Sequence, residues 1–205
     1  MPATVAPDSL VSGFIAPVAG MNLSSASEID VVDGSGLVTV AVPLFASATQ
    51  VNYVIPAGLA PGHYRVTVKS AGNVLAQGNL ELDSVSPTLF AANASGKGIA
   101  AAQIVRVHSD DSQTLEDVRG PIEFGDTSER LFVVLYGTGF RKLARGSLRI
   151  GGTDAAIAYA GAQGTFAGLD QMNVELPRSL AGKGEVAVVF SADGKPANAV
   201  TLSFR

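Results

Sequence analysis

The 205-residue chain has no cysteine and no tryptophan. The absence of cysteine excludes a disulfide framework, a thiolate nucleophile and thiolate metal sites, while leaving the compartment open. Charge is also scarce. Asp, Glu, Lys and Arg make up 16% of the residues, against about 25% in an average soluble protein. Ala, Gly, Ser and Thr must therefore cover much of the surface, which suits contact with a partner, a neighbouring domain or another copy. With a net charge of −4 and its most basic stretch confined to residues 141–145, the chain lacks the footprint of a nucleic-acid binder. No apolar run approaches the roughly 20 residues of a membrane span. The opening residues lack a basic start, and Pro7, Asp8 and Pro17 interrupt their apolar stretch, so they do not read as a signal peptide. The expectation is a soluble piece of a longer polypeptide.

What the sequence does contain is alternation with a period of two. It predicts strands at 28–32, 37–42, 50–55, 63–69 and 73–82, then at 99–107, 130–136, 147–150, 155–159, 171–176, 185–190 and 198–204. Asp33-Gly34, Pro61-Gly62, Gly151-Gly152 and Asp193-Gly194 supply turns between them. No amphipathic helix of three turns is present. The predicted class is all-β.

A phrase is written twice. "QVNYVIPAGLAPGHYRV" begins at Gln50 and "QMNVELPRSLAGKGEV" at Gln171. The interval of 121 residues between Gln50 and Gln171 recurs from Asn52 to Asn173, Pro56 to Pro177 and Leu59 to Leu180. It then lengthens to 122, so that Gly62 meets Gly184 and Gly72 meets Gly194. A one-residue slip within a strand turns its apolar face outward, so the added residue belongs in a loop. With it there, Tyr64, Val66 and Val68 align with Val186, Val188 and Phe190, and Leu80 and Leu82 with Leu202 and Phe204. Upstream, 43–46 resembles 156–160, and 10–14 is expected to correspond to 133–137. The reading is two tandem immunoglobulin-like β-sandwiches, at 1–84 and 85–205. The second carries a hairpin-bearing connector at 85–127, whose Leu89, Phe90, Ile104, Val107 and Leu115 are too apolar for a solvated tether.

From Val85 onward the chain resembles the uncharacterised C-terminal domain common in large secreted proteins of Solibacter-type acidobacteria. The matching phrases are Val85-Ser86-Pro87 with Leu89-Phe90-Ala91-Ala92-Asn93, then Gly98, Ala100-Ala101-Ala102 and Ser112-Gln113-Thr114. Further on stand Leu135-Tyr136-Gly137-Thr138-Gly139-Phe140-Arg141, Ile150-Gly151-Gly152 and Tyr159-Ala160-Gly161. Gly168-Leu169-Asp170-Gln171-Met172-Asn173, Leu176-Pro177-Arg178-Ser179-Leu180-Ala181-Gly182 and Asp193-Gly194 complete the set. The first half looks like the repeat that often precedes that domain, with Ala6-Pro7 and Gln50-Val51-Asn52 matching, while Asp8 and the stretch 15–19 depart from it. The resemblance implies an extracellular module at the end of a longer protein and carries over no catalytic residues.

Site by site, the chemistry is thin. Gln50 and Asn52 share one strand face, opposite Val51, Tyr53 and Ile55, as Gln171 and Asn173 do opposite Met172, Val174 and Leu176. The pair is a polar platform for a glycan or peptide, or a structural device satisfying loop backbone; its repetition favours the second. Gly137-Thr138-Gly139 lacks the following helix of a phosphate loop and reads as a tight turn or bulge. His63 and His108 are the only side chains that titrate near neutrality unperturbed. His108 with Asp110 and Asp111 has no defensible metal spacing, and Ser109-Asp110-Asp111-Ser112 is turn chemistry. Gly34-Ser35-Gly36 lies in a turn and is no nucleophile elbow. A Lys–Asn isopeptide bond needs an inward lysine, and Lys69 faces outward. The N-terminal strand, 5–15, is expected to pair at home, with donation to a neighbour as the alternative.

The expectation is a non-enzymatic extracellular structural or adhesion module without catalytic residues, cofactor or metal. Its partner is a protein or glycan at the cell surface, or another copy through edge strands. The loops 161–168 and 109–112 are the contact candidates, and Tyr53, Tyr159, Phe166, Asp110 and Asp111 are the candidate contact side chains. The alternatives are a glycan-binding module on Tyr53, Tyr159 or Phe166, and a filament subunit assembled by strand donation.

Overall fold

The computed structural model describes residues 3–16 and 22–205. Residues 17–19 of the departing stretch, and 1–2 of the N-terminus, lie outside the described residues. The fold is all-β; the one helical element described is the 3-10 turn Arg178–Leu180. The chain divides into two compact units, Met1–Ser84 with Thr165–Gly168, and Val85–Gly164 with Leu169–Arg205.

The first unit contains β1 (Ala3–Val5), β2 (Leu10–Phe14), β3 (Glu28–Val32), β4 (Val38–Ala41), β5 (Pro43–Ala46), β6 (Gln50–Val54), β7 (Gly62–Ser70) and β8 (Asn73–Leu82). One sheet runs β1-β8-β7-β3-β4 and the other β2-β6-β5. Every pairing is antiparallel except β1 with β8. Ile29, Val31, Val66, Val68 and Leu80 from one sheet meet Val51 and Tyr53 from the other in a single buried cluster. Alternation makes this possible, since the same strands turn Asp30, Thr67 and Arg65 to the opposite face. Burying each such aliphatic side chain contributes about 1.5–3 kcal/mol.

The second unit contains β9 (Thr88–Leu89), β10 (Ala102–Val107), β11 (Gln113–Asp117), β12 (Arg130–Thr138), β13 (Gly146–Ile150) and β14 (Thr153–Asp154). There follow β15 (Ile157–Ala162), β16 (Asp170–Glu175), β17 (Gly184–Ala192), β18 (Lys195–Pro196) and β19 (Val200–Phe204). One sheet runs β11-β10-β12-β16-β15 with β9 also on β12; the other is β14-β13-β17-β18 with β19 also on β17. Their inner faces enclose Ile104, Val133, Leu135, Met172 and Val174 against Leu148, Ile150, Val188, Phe190 and Leu202.

The repeat is visible in the ladders. Tyr64 stands opposite Leu80 and Gly62 opposite Leu82; Val186 stands opposite Leu202 and Gly184 opposite Phe204. Both hairpins at the top of this pair turn through two residues with positive φ, Ala71 (46°) with Gly72 (80°) and Asp193 (51°) with Gly194 (80°), the geometry that matches strand twist. A β-bulge also recurs, between Pro43 and Phe45 on one β6 edge and between Ile157 and Tyr159 on the β16 edge.

The structure moves one correspondence. Ser12 pairs with Asn52 and Val134 with Asn173, so 10–14 matches 132–136, not 133–137. The difference is physical, because the corrected register places Val11 and Val133 on the inner face together. Several expected strands also shift. The strand expected at 99–107 begins at Ala102, because Ile99 leaves that line to bridge Thr201. That expected at 155–159 runs Ile157–Ala162, and that expected at 198–204 begins at Val200. The last shift has a cause: the side chain of Asn198 bonds Leu89 N (2.8 Å), Leu89 O (2.9 Å) and Gly96 O (2.7 Å), interrupting the strand that β8 forms without a break.

Candidate functional site

The Gln-x-Asn pair stands at the equivalent place in both units, on β6 and on β16. Gln50 Nε2 donates to Asn52 Oδ1 at 2.8 Å, and Gln171 Nε2 to Asn173 Oδ1 at 2.7 Å. The amides bond each other along the strand and not the loop backbone, which corrects the expected role. Side chains two apart on a strand share a face, and Gln is long enough to close the distance. Opposite each Asn stands an exposed aromatic, Phe45 across from Asn52 and Tyr159 across from Asn173.

Of the three aromatics expected to serve a ligand, Tyr53 is excluded by its burial. It is 4% exposed, inside the first core, and desolvation pushes its phenol up to about 12. The alternation that sets Gln50 and Asn52 outward sends Tyr53 inward. Tyr159 is 43% exposed; its ring lies over Gly161 and its hydroxyl donates to Ala162 O at 2.6 Å. Phe166 is 68% exposed.

His108 does not gather Asp110 and Asp111 around itself. Asp110 Oδ1 accepts from Ser112 N (3.0 Å) and Ser112 Oγ (2.6 Å), which hold its carboxyl below the usual range, and Asp111 takes φ 62° in the same turn. His108 instead places Nδ1 2.8 Å from Glu129 Oε1 and Nε2 3.2 Å from Thr114 Oγ1. Glu129 Oε2 takes a bond from Arg106 Nη1 at 2.9 Å, and Arg106 also reaches Glu116 Oε1 (2.8 Å), Phe124 O (3.1 Å) and Glu123 O (2.9 Å). The hydrogen bond from His108, then that from Arg106, keeps the Glu129 carboxyl below its ordinary range.

A hydroxyl, an imidazole and a carboxylate in that order are the parts of a hydrolytic relay. Here Thr114 is exposed on the outermost strand, and neither of the second unit's described clefts, about 440 and 300 Å³, is lined by Thr114 or His108. The network ties β10 and β11 to the segment 123–129 across three separate stretches of backbone. That is a clasp.

A second buried ion pair was illegible in the sequence. Asp170, fully buried, sets Oδ1 2.6 Å from Arg141 Nε and accepts at Oδ2 from Phe140 N (2.8 Å) and Arg141 N (3.0 Å). Burial pushes its carboxyl up, against the pull of these donors. The turn it fastens contains Gly137-Thr138-Gly139, which is a docking seat for the connector. Gly137 and Thr138 pair with Leu89 and Thr88, Ser86 N donates to Gly139 O at 2.8 Å, and Gly139 has φ 79°. A Cβ on Gly139 would strike the Ser86 carbonyl. Lys69 forms ion pairs with Asp30 and Glu28 on the outer face, and the hydrogen bond it donates to Asp30 raises its pKa, which favours an ammonium over a nucleophilic amine.

An exposed apolar edge lies on the first unit. The chain leaves β4 at the margin of one sheet of the first unit and enters β5 at the margin of the other, with only Val42 between. Leu37, Val38, Val40, Val42, Leu44 and Phe45 are all exposed along it, Val42 by 69%. No Asp, Glu, Lys or Arg occurs between Asp33 and Arg65. Because Asp33 N donates to Leu37 O, alternation points the backbone N–H and C=O of Val38 and Val40 away from β3 and out of the sheet. Natural edges are commonly blunted by charges, and this one carries only Pro43 and the bulge.

No family model matches the chain, and no curated protein matches it. Among solved structures it is similar to a crystal structure of the I9–I11 tandem from titin, at 8% identity and a TM-score of 0.23, over 98% of this chain and 95% of that one. So low a score carries no argument, and the fold rests on the sheets themselves. No helix among the described residues is long and apolar enough to cross a membrane.

Proposed function

We propose that the chain is a non-enzymatic structural and adhesion module of a larger secreted or surface protein. It consists of two tandem immunoglobulin-like domains that hold a partner through sheet edges. The observation that carries this reading is the uncharged, exposed apolar edge from Leu37 to Phe45. Its partner is a second copy. Two such edges meeting antiparallel satisfy the outward backbone groups of Val38 and Val40 and bury valines on both sides, with no charge opposed across the two-fold axis. Sedimentation velocity over a wide concentration range tests it. The chain forms a dimer that dissociates on dilution, and Val40→Lys, which keeps the strand and charges the edge, is monomeric throughout. A wild-type chain that stays monomeric at every concentration contradicts the reading.

One observation favours glycan binding as a second reading. In the second unit the exposed ring of Tyr159 lies beside the linked amides of Gln171 and Asn173, an apolar face next to fixed hydrogen-bonding groups. A glycan array probed with the chain and with Tyr159→Ala separates the two, since the structural reading expects identical, empty arrays.

A further inference from the structure

The two units are built on one plan, yet one of them lacks a part the other has. In the second unit, Tyr136 N donates to Ala101 O, Phe90 N donates to Tyr136 O, and β10 pairs along β12 from Leu135 to Arg130. The connector thus lies against the free edge of β12 and adds Leu89, Ala91, Ala100 and Ile104 to the core. Asn198 clamps it from the other sheet.

By the register, Phe14 is the counterpart of Tyr136 and Ser12 of Val134. Ile15 N donates to Thr49 O and Ile55 N to Ser9 O, so alternation turns the backbone groups of Ser12 and Phe14 away from β6. No pairing partner for them occurs among the described residues. Beside that edge an apolar groove of about 320 Å³ opens between the sheets, lined by Val11, Ile15, Val51, Val66, Val68 and Ala76 among others.

The same positions differ in burial between the copies. Val11 is half-buried where Val133 is sealed, and Gly78 is exposed where its counterpart Val200 is buried. Ala76 stands where Asn198 grips the connector, so the groove of the first unit lacks that clamp; its lining is mostly apolar, with Ser12, Gln77 and Asn79 as its polar members.

We propose that this groove accepts an extended segment from a partner chain, paired antiparallel to β2. Its occupant has the chemistry of the connector: alternating small and branched apolar side chains facing in, with main-chain groups bonding Ser12 and Phe14. The second unit shows what seals such a gap: an extended segment satisfies outward backbone groups while its side chains fill the cleft between two sheets. This goes beyond the dimer reading, for β2 and β8 lie on the side of the first unit away from β4 and β5.

The probe is a synthetic peptide with the sequence of residues 85–108, titrated into the full-length chain and followed by amide shifts in a 15N spectrum. Saturable binding with the largest shifts at Ser12, Phe14 and Gly78 supports the site. Ser12→Pro removes one outward N–H without touching the β6 ladder and weakens binding at least about tenfold. Gly78→Glu, where an added Cβ meets open space, does the same by charging the groove mouth and serves if the proline variant does not fold. Absence of saturable binding, shifts centred on Val38 and Val40, or unchanged affinity in both folded variants overturns the proposal. Loss of dimerisation in Val40→Lys with peptide binding intact leaves the two sites independent, as expected.

Discussion

Val11 and Val133 occupy the same place in the two units, each on the inner face of an equivalent strand, Val11 across from Tyr53 and Val133 across from Val174. Val133 is sealed and Val11 is half-buried. One blueprint has therefore been completed in one copy by a connector and left with open margins in the other.

The hairpin between β7 and β8 carries a correctable strain. Ala71 is held at φ 46° where the second unit uses Asp193. A left-handed conformation costs an ordinary L-residue roughly 1–2 kcal/mol, and Asn tolerates it better. Ala71→Asn should stabilise the first unit by about 0.5–1 kcal/mol, read from urea unfolding of the variant beside the parent.

Asp170 holds one guanidinium and two backbone N–H groups together in the second unit. Asp170→Ala leaves the largely buried guanidinium of Arg141 and two backbone N–H groups without their acceptor. The expected loss is about 3–5 kcal/mol, measured by denaturant titration. Asp170→Asn retains an acceptor for the backbone and should lose less.

The His108–Glu129–Arg106 clasp gives an acid-sensitive stability. The folded carboxyl of Glu129 titrates below its ordinary value of 4.5. Its contribution is therefore complete above pH 4.5 and is lost as pH falls through the lower folded value. Melting temperatures of wild type and Glu129→Gln should differ most above pH 4.5 and converge in stronger acid. A constant gap at all pH values would contradict the assignment.

The alternation of apolar residues made the strands legible, and the shift from 121 to 122 placed the hairpins of both units in register before any coordinates. The same alternation already put Tyr53 inside with Val51 and Ile55, so its expected role in ligand binding conflicted with its own strand. Pro43–Ala46 matches 156–160 by position but does not read as a strand in the sequence, because proline and a bulge break the period at that point. Pairs such as His108 with Glu129, 21 residues apart, and Arg141 with Asp170, 29 apart, leave no local signature, since ladders and loops and not spacing bring them together. The open margins were likewise hidden: an edge is defined by the strand that is missing beside it.

Self-pairing through Leu37–Phe45 is tested most directly by crosslinking, which the absence of native cysteine makes clean. Single cysteines placed in turn along residues 37–46 are oxidised in dilute solution and the disulfide dimers quantified. An antiparallel two-fold contact predicts strong crosslinking at one position or one adjacent pair, falling away symmetrically on either side. Uniformly weak crosslinking along the whole edge would contradict it.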